Sequence, residues 1–217
     1  MVMRIDDQKV SQSAAFVGDA ELVDAELDDS HGSQFRLAGD LAVWLVILIE
    51  LVTFGLFFMV FAFKRAFQVD LFNRMQSTLD LHSGVVNTIL LITSSWFVAR
   101  CVAAVRKGQS QAGARWLALA IVCGAAFLVM KTVEFKAKFD LGVNLSTNDF
   151  YMLYFTLAGF HMLHVVVGVI ILAMLLVMVR RGKVAANNMH ALETGAAFWH
   201  MVDLLWIILF PLVYVMR

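Results

Sequence analysis

The sequence has one proline, Pro211, and two cysteines, Cys101 and Cys123, in 217 residues. Both cysteines sit inside apolar runs, which excludes a disulfide-stapled scaffold or a thiolate metal site and makes them small core residues. The CxxCH spacing of covalent haem attachment is absent. Charge is scarce as well: 16% of residues are Asp, Glu, Lys or Arg, against about 25% in soluble domains. Bases are few where acids are dense. Residues 1–40 hold nine of the 17 acidic residues (Asp6, Asp7, Asp19, Glu21, Asp24, Glu26, Asp28, Asp29 and Asp40) beside only Arg4, Lys9 and Arg36. Nothing there offers the basic face that nucleic acid requires. The arm also lacks a basic n-region followed by an apolar h-region, so no cleavable signal peptide is expected.

What the chain has instead is hydrocarbon. Hydrophobic residues make up 61% of it and mean hydropathy is +0.79. Five runs reach the roughly 20 residues that cross a bilayer core of about 30 Å. They fall at 41–63, 84–106, 115–135, 150–179 and 195–216. The expected fold is an all-α polytopic membrane protein, a five-helix transmembrane bundle over 41–217. Residues 1–40 are expected to be an acidic, flexible, cytoplasmic arm with a short amphipathic helix over 14–27. The fourth helix is long enough to tilt or protrude, Pro211 should kink the fifth, and the longest connection is Lys64–Ser83. Seven Lys and Arg flank the helices on the N-terminal side and six on the other. That bias puts the N-terminus in the cytoplasm and the C-terminus outside.

Polar residues interrupt the apolar runs at one depth. A charge at mid-membrane costs about 2.5–3.5 kcal/mol on the lenient insertion scales. At 1.5 Å per residue, Glu50 lies about 3 Å from the centre of the first helix, and His164 sits at the centre of the fourth. Asp203 lies about 4 Å and His200 about 8 Å from the centre of the fifth by the same rise. Thr93, Ser94 and Ser95 bracket the centre of the second. Such groups should face inward and satisfy one another, because lipid offers no partner. His161 and His164 are three apart, as are His200 and Asp203, so each pair shares a helix face. Interhelical hydrogen bonding, proton handling and metal ligation are the three roles open to them. Di-metal carboxylate bundles use repeated Glu-x-x-His pairs, which this chain lacks, so no metal is expected. A protonated Glu50 bonded to neutral His164 is the cheapest pairing, with Asp203 or the Thr93–Ser95 cluster next. That contact serves static packing and proton transfer equally well.

Other features have plainer readings. The phenylalanine run Phe54–Phe63 suits lipid contact and helix packing. Lys131 and Glu134, three apart at a helix end, read as a surface ion pair. Trp199 and Trp206 are candidates for packing or for lipid and partner contact, and Gly55, Gly159 and Gly168 mark places where another helix could approach closely.

Several stretches resemble the cytochrome c oxidase subunit III family in order and spacing. They are GDLAVWLVILIELVTFGLFF at Gly39–Phe58, NTILLITSS at Asn87–Ser95, KTVEF at Lys131–Phe135, FHMLHVVVG at Phe160–Gly168 and ETGAAFWHMVDLLWIILF at Glu193–Phe210. The resemblance covers about residues 36–217 and implies a subunit without catalytic residues, haem or metal of its own. Those cofactors would belong to a catalytic haem-containing membrane subunit that it stabilises, while the chain itself holds phospholipid and supports proton uptake. Glu50 matches the family's intramembrane glutamate, His161 and His164 its histidine pair, and Trp199, His200 and Asp203 its WHxVD residues. GDLAVW, NTILLITSSW and LFPLVY look most like the homologues that accompany nitric oxide reductase, and Pro211 departs from the oxidase members. The resemblance therefore implies an accessory subunit of a haem–copper superfamily reductase in a bacterial inner membrane, on the nitric oxide reductase branch. Subunit III of an aa3 or bo3 oxidase is the alternative, and an intramembrane metal-dependent enzyme the second. A proton-coupled transporter fits less well, since the helix count is odd and no inverted repeat is visible.

Overall fold

The computed structural model describes residues 41–184 and 188–216. The acidic arm, with the helix expected over 14–27, lies outside them. The described residues form six α-helices: α1 (Leu41–Phe67), α2 (Val69–Gln76), α3 (Leu81–Arg106), α4 (Ser110–Asp140), α5 (Asp149–Arg180) and α6 (His190–Phe210). A single π-helical turn, Pro211–Val215, follows α6. All but α2 are long and apolar enough to cross a membrane, and no strand occurs among the described residues. The chain is a multi-pass membrane protein.

The helices outrun the apolar runs that announced them. α4 extends five residues beyond the expected 115–135 at each end, and α1 runs on to Phe67. Their polar ends are held by other helices: Lys64 Nζ of α1 meets Asp149 Oδ2 of α5 at 2.9 Å, and Gln68 Nε2 donates to the same oxygen at 3.0 Å. Asp80 caps α3 by accepting from His82 N, and Asn148 caps α5 by accepting from Tyr151 N, as acceptors at N-caps do. Gly108, Gly142 and Gly182, with φ of 75°, 76° and 67°, end α3, α4 and α5 in the left-handed turn that glycine adopts most cheaply.

Helices α3, α4, α5 and α6 pack in sequence, and α6 also packs against α3, closing the ring. α1 lies outside this ring against α5 and α6. The connection over 64–83 is filled by the end of α1 and by α2. At Pro211 the missing N–H breaks the α ladder and the backbone widens to a π turn rather than simply kinking. Gln76 of α2 reaches the carbonyls left free where this turn ends, donating to Leu212 O at 3.2 Å and Val213 O at 3.1 Å.

The candidate contact residues divide sharply. Trp199 is 1% exposed and Trp206 fully buried, so both are packing residues and neither contacts lipid. A Cβ on Gly168 would come within 2.7 Å of the Trp199 ring and one on Gly124 within 2.8 Å. The indole fills the space these glycines leave between α4, α5 and α6. Gly55 and Gly159 face open space. Of the phenylalanine run, Phe54 and Phe61 are buried while Phe63 faces outward.

Candidate functional site

The mid-membrane polar residues separate into distinct groups. Glu50 Oε2 on α1 lies 3.1 Å from His164 Nε2 on α5, the pairing that depth along the helices favoured. His164 Nδ1 donates to Phe160 O at 2.8 Å. A carbonyl can only accept, so Nδ1 carries a hydrogen and Nε2 of a neutral ring is an acceptor. For the Glu50–His164 contact to be a hydrogen bond, a hydrogen must sit on the carboxyl or on Nε2. Phe54 stands edge-on to the His164 ring, centroids 5.3 Å apart. Glu50 keeps 25% of its side chain accessible, so the pair opens toward the outer surface of the bundle.

His161 does not join it. Three residues is 60° of helix rotation, enough to send His161 inward, where it is fully buried against Phe127 and Trp206, ring centroids 5.8 and 5.2 Å away. Neither ring nitrogen meets a hydrogen-bond partner among the described residues. His200 Nδ1 shares a hydrogen bond with Ser95 Oγ of α3, while Ser94 donates to Ala120 O at 2.9 Å. Asp203 is buried with Oδ1 lacking a partner, and both amide atoms of buried Asn87 lack one too. The expectation that these groups satisfy one another holds for Glu50 with His164 and Ser95 with His200 and is corrected for His161 and Asp203: equal depth does not give equal azimuth. Among the described residues no three His, Cys, Asp or Glu side chains gather as a metal site would need.

A second polar centre was not anticipated. Lys131 and Glu134 are no surface pair: the Lys131 side chain is 0% exposed and that of Glu134 is 9%. Lys131 Nζ lies 3.1 Å from Glu134 Oε2, 3.4 Å from Tyr154 OH of α5 and 2.5 Å from Tyr214 OH on the π turn. Both tyrosines donate to Glu134 Oε1 at 2.6 Å. Three ammonium hydrogens meet three oxygens, and the carboxylate accepts three bonds. Above this knot Lys131 Nζ lies 5.2 Å from the Trp206 ring centroid, and Trp206 Nε1 donates to Thr88 Oγ1 of α3 at 3.0 Å. The arrangement is neutral and fully bonded, as a buried ion pair must be to persist. The signal was present, since the chain has three tyrosines and two of them converge here.

A five-span bundle with a paired carboxylate and imidazole at mid-depth defines an integral membrane protein. The chain matches the profile of the cytochrome c oxidase subunit III family over residues 22–217 and belongs to that family. It is 33% identical to a cytochrome c oxidase subunit 3 of Synechocystis over 139 residues, 64% of this chain and 58% of that one. A cytochrome bo(3) ubiquinol oxidase subunit 3 of Pseudomonas aeruginosa is 33% identical over 63% of this chain and 66% of its own. A cytochrome c oxidase subunit 3 of Alkalihalophilus pseudofirmus is 28% identical over 86% and 92%. The matched stretch thus spans under two thirds of the first and second of these relatives.

The knot has a measurable signature. Lys131→Met strands the Glu134 carboxylate and should cost about 3–5 kcal/mol, read as a lower unfolding midpoint of the chain in lipid. Lys131→Met with Glu134→Gln together should recover most of that loss. Equal destabilisation by the single and double variants would contradict the ion-pair account.

Proposed function

We propose that this chain is a non-catalytic accessory subunit of a haem–copper superfamily terminal reductase, and that its partner is a nitric oxide reductase. Family membership over residues 22–217 carries the first half. The stretches GDLAVW, NTILLITSSW and LFPLVY support the second. Haem and metal belong to the catalytic partner, and this chain contributes stability and lipid contact. The reading that the partner is an aa3 or bo3 oxidase is favoured by the oxidase names of the relatives.

A phospholipid acyl chain suits the trough of about 280 Å³ between α1 and α6, lined by Ile47, Leu51, Ala197, His200, Met201 and Leu204 among others. The Glu50–His164 pair, partly open, ties α1 to the ring and places a carboxyl and an imidazole where they could pass a proton at mid-membrane.

Deleting the chain should lower the stability or sustained turnover of one terminal reductase without removing its haems. Terminal reductases unchanged in abundance and rate, or nitric oxide or oxygen reduction by the purified chain alone, would refute the accessory role. A deletion that affects only oxygen reduction selects the oxidase partner.

Orientation follows from the basic bias, with the N-terminus cytoplasmic and the C-terminus outside the inner membrane. Fusions at Arg217 should be active for a periplasmic reporter and silent for a cytoplasmic one. The reverse would invert the topology.

A further inference from the structure

Arg100 of α3 is an exposed cation inside a candidate membrane span, near its C-terminal end. It lies six residues before the end of α3 at Arg106, about 9 Å along the axis. A helix of 26 residues is about 39 Å long and overhangs a 30 Å core by about 4–5 Å at each end. The Arg100 backbone is therefore about 4 Å inside the hydrocarbon, and lipid phosphates lie roughly 5 Å or more beyond its edge. Nor does the side chain rise to meet them. Its guanidinium carbon lies over Trp96, one turn nearer the middle of the helix, at 5.8 Å, and over Trp116 of α4 at 5.5 Å. Side chains tilt toward a helix's N-terminus, and for α3 that direction leads deeper.

The two indoles cover guanidinium faces and leave the five in-plane N–H donors uncovered. None of those donors meets an acceptor among the described residues, although hydrocarbon offers none. Trp96 is itself 53% exposed, and Phe97 stacks on Trp116 with centroids 5.6 Å apart, bracing the platform. Ala99 and Ala103, exposed and four apart on α3, permit a second helix to approach closely. A small cavity of about 90 Å³ lined by Arg100, Ala103, Ala104, Lys107, Gln109 and Trp116 opens beside the guanidinium, toward the turn that follows α3.

We propose that Trp96, Arg100 and Trp116 form the docking centre of the α3–α4 face, and that a partner membrane helix fills it with a carboxylate bonded in fork fashion to Arg100. This inference rests on the accessory-subunit reading and locates its contact. Depth selects a protein carboxylate over a phospholipid, since a helix can present an acid at any level and a phosphate cannot. The composition is that of an interaction hot spot, with tryptophan and arginine at its centre.

The test uses the full chain in its native membranes, carrying a benzophenone amino acid in place of Trp96. Irradiation should join it to the haem-carrying subunit, at a transmembrane segment with an Asp or Glu at matching depth. In parallel, Arg100→Leu should lower the haem protein that co-purifies with the chain by roughly tenfold, with Arg100→Lys between it and the wild type. The amount of chain in the membrane should not fall, because removing an exposed charge eases insertion. Cross-links only to lipid or to a second copy of this chain, or undiminished haem recovery with Arg100→Leu, would overturn the docking site and leave the accessory reading standing. Failure of the wild-type chain to recover any haem protein would bring down both.

Discussion

Hydrocarbon offers no hydrogen bonds, so every polar group carried into the bundle must find its partner on another helix or go without. The Lys131 knot is the most complete answer to that constraint. An ammonium and a carboxylate one helical turn apart on α4 would be costly alone. Tyr154 and Tyr214 complete their bonding and in doing so bind α5 and the C-terminal turn to α4. The backbone is arranged to permit this: α4 continues past its apolar run, and Pro211 widens the chain into the turn that carries Tyr214. Gln76 then occupies two of the carbonyls left free at the end of that turn.

The mid-membrane layer answers the same constraint less completely. Glu50 meets His164 across α1 and α5, and Ser95 meets His200 across α3 and α6. His161, Asn87 and Asp203 retain buried polar atoms without partners. Such atoms in a native fold call for ordered water or for a group supplied from outside. α1, which lies outside the ring, is held at mid-depth by the Glu50 contact and at its end by Lys64 and Gln68 on Asp149.

Much of this was legible along the chain. Apolar length located the five spans, and a rise of 1.5 Å per residue brought Glu50 level with His164. Depth, however, is a one-dimensional quantity. It could not show that His161, 60° around α5 from His164, turns into the bundle interior away from Glu50, nor that Trp199 and Trp206 lie inside rather than against lipid. Lys131 and Glu134 were misread because hydropathy ends α4 at 135, whereas the helix runs to Asp140. Five extra residues move the pair from the helix end into the packed bundle. Their partners, 20 and 80 positions from Glu134, are beyond the reach of local spacing. The family was readable from its motifs because they lie on the helices that make the interior.

Polar groups at mid-membrane act as ties between particular helices, with Glu50 and His164 joining α1 to the ring. A double-mutant cycle of Glu50→Leu and His164→Leu, measured as unfolding free energy in lipid, tests this directly. Coupling of about 0.5–2 kcal/mol is expected, the range that such cycles reach for polar contacts between membrane helices. Independent, additive effects of the two substitutions would show that the contact ties nothing.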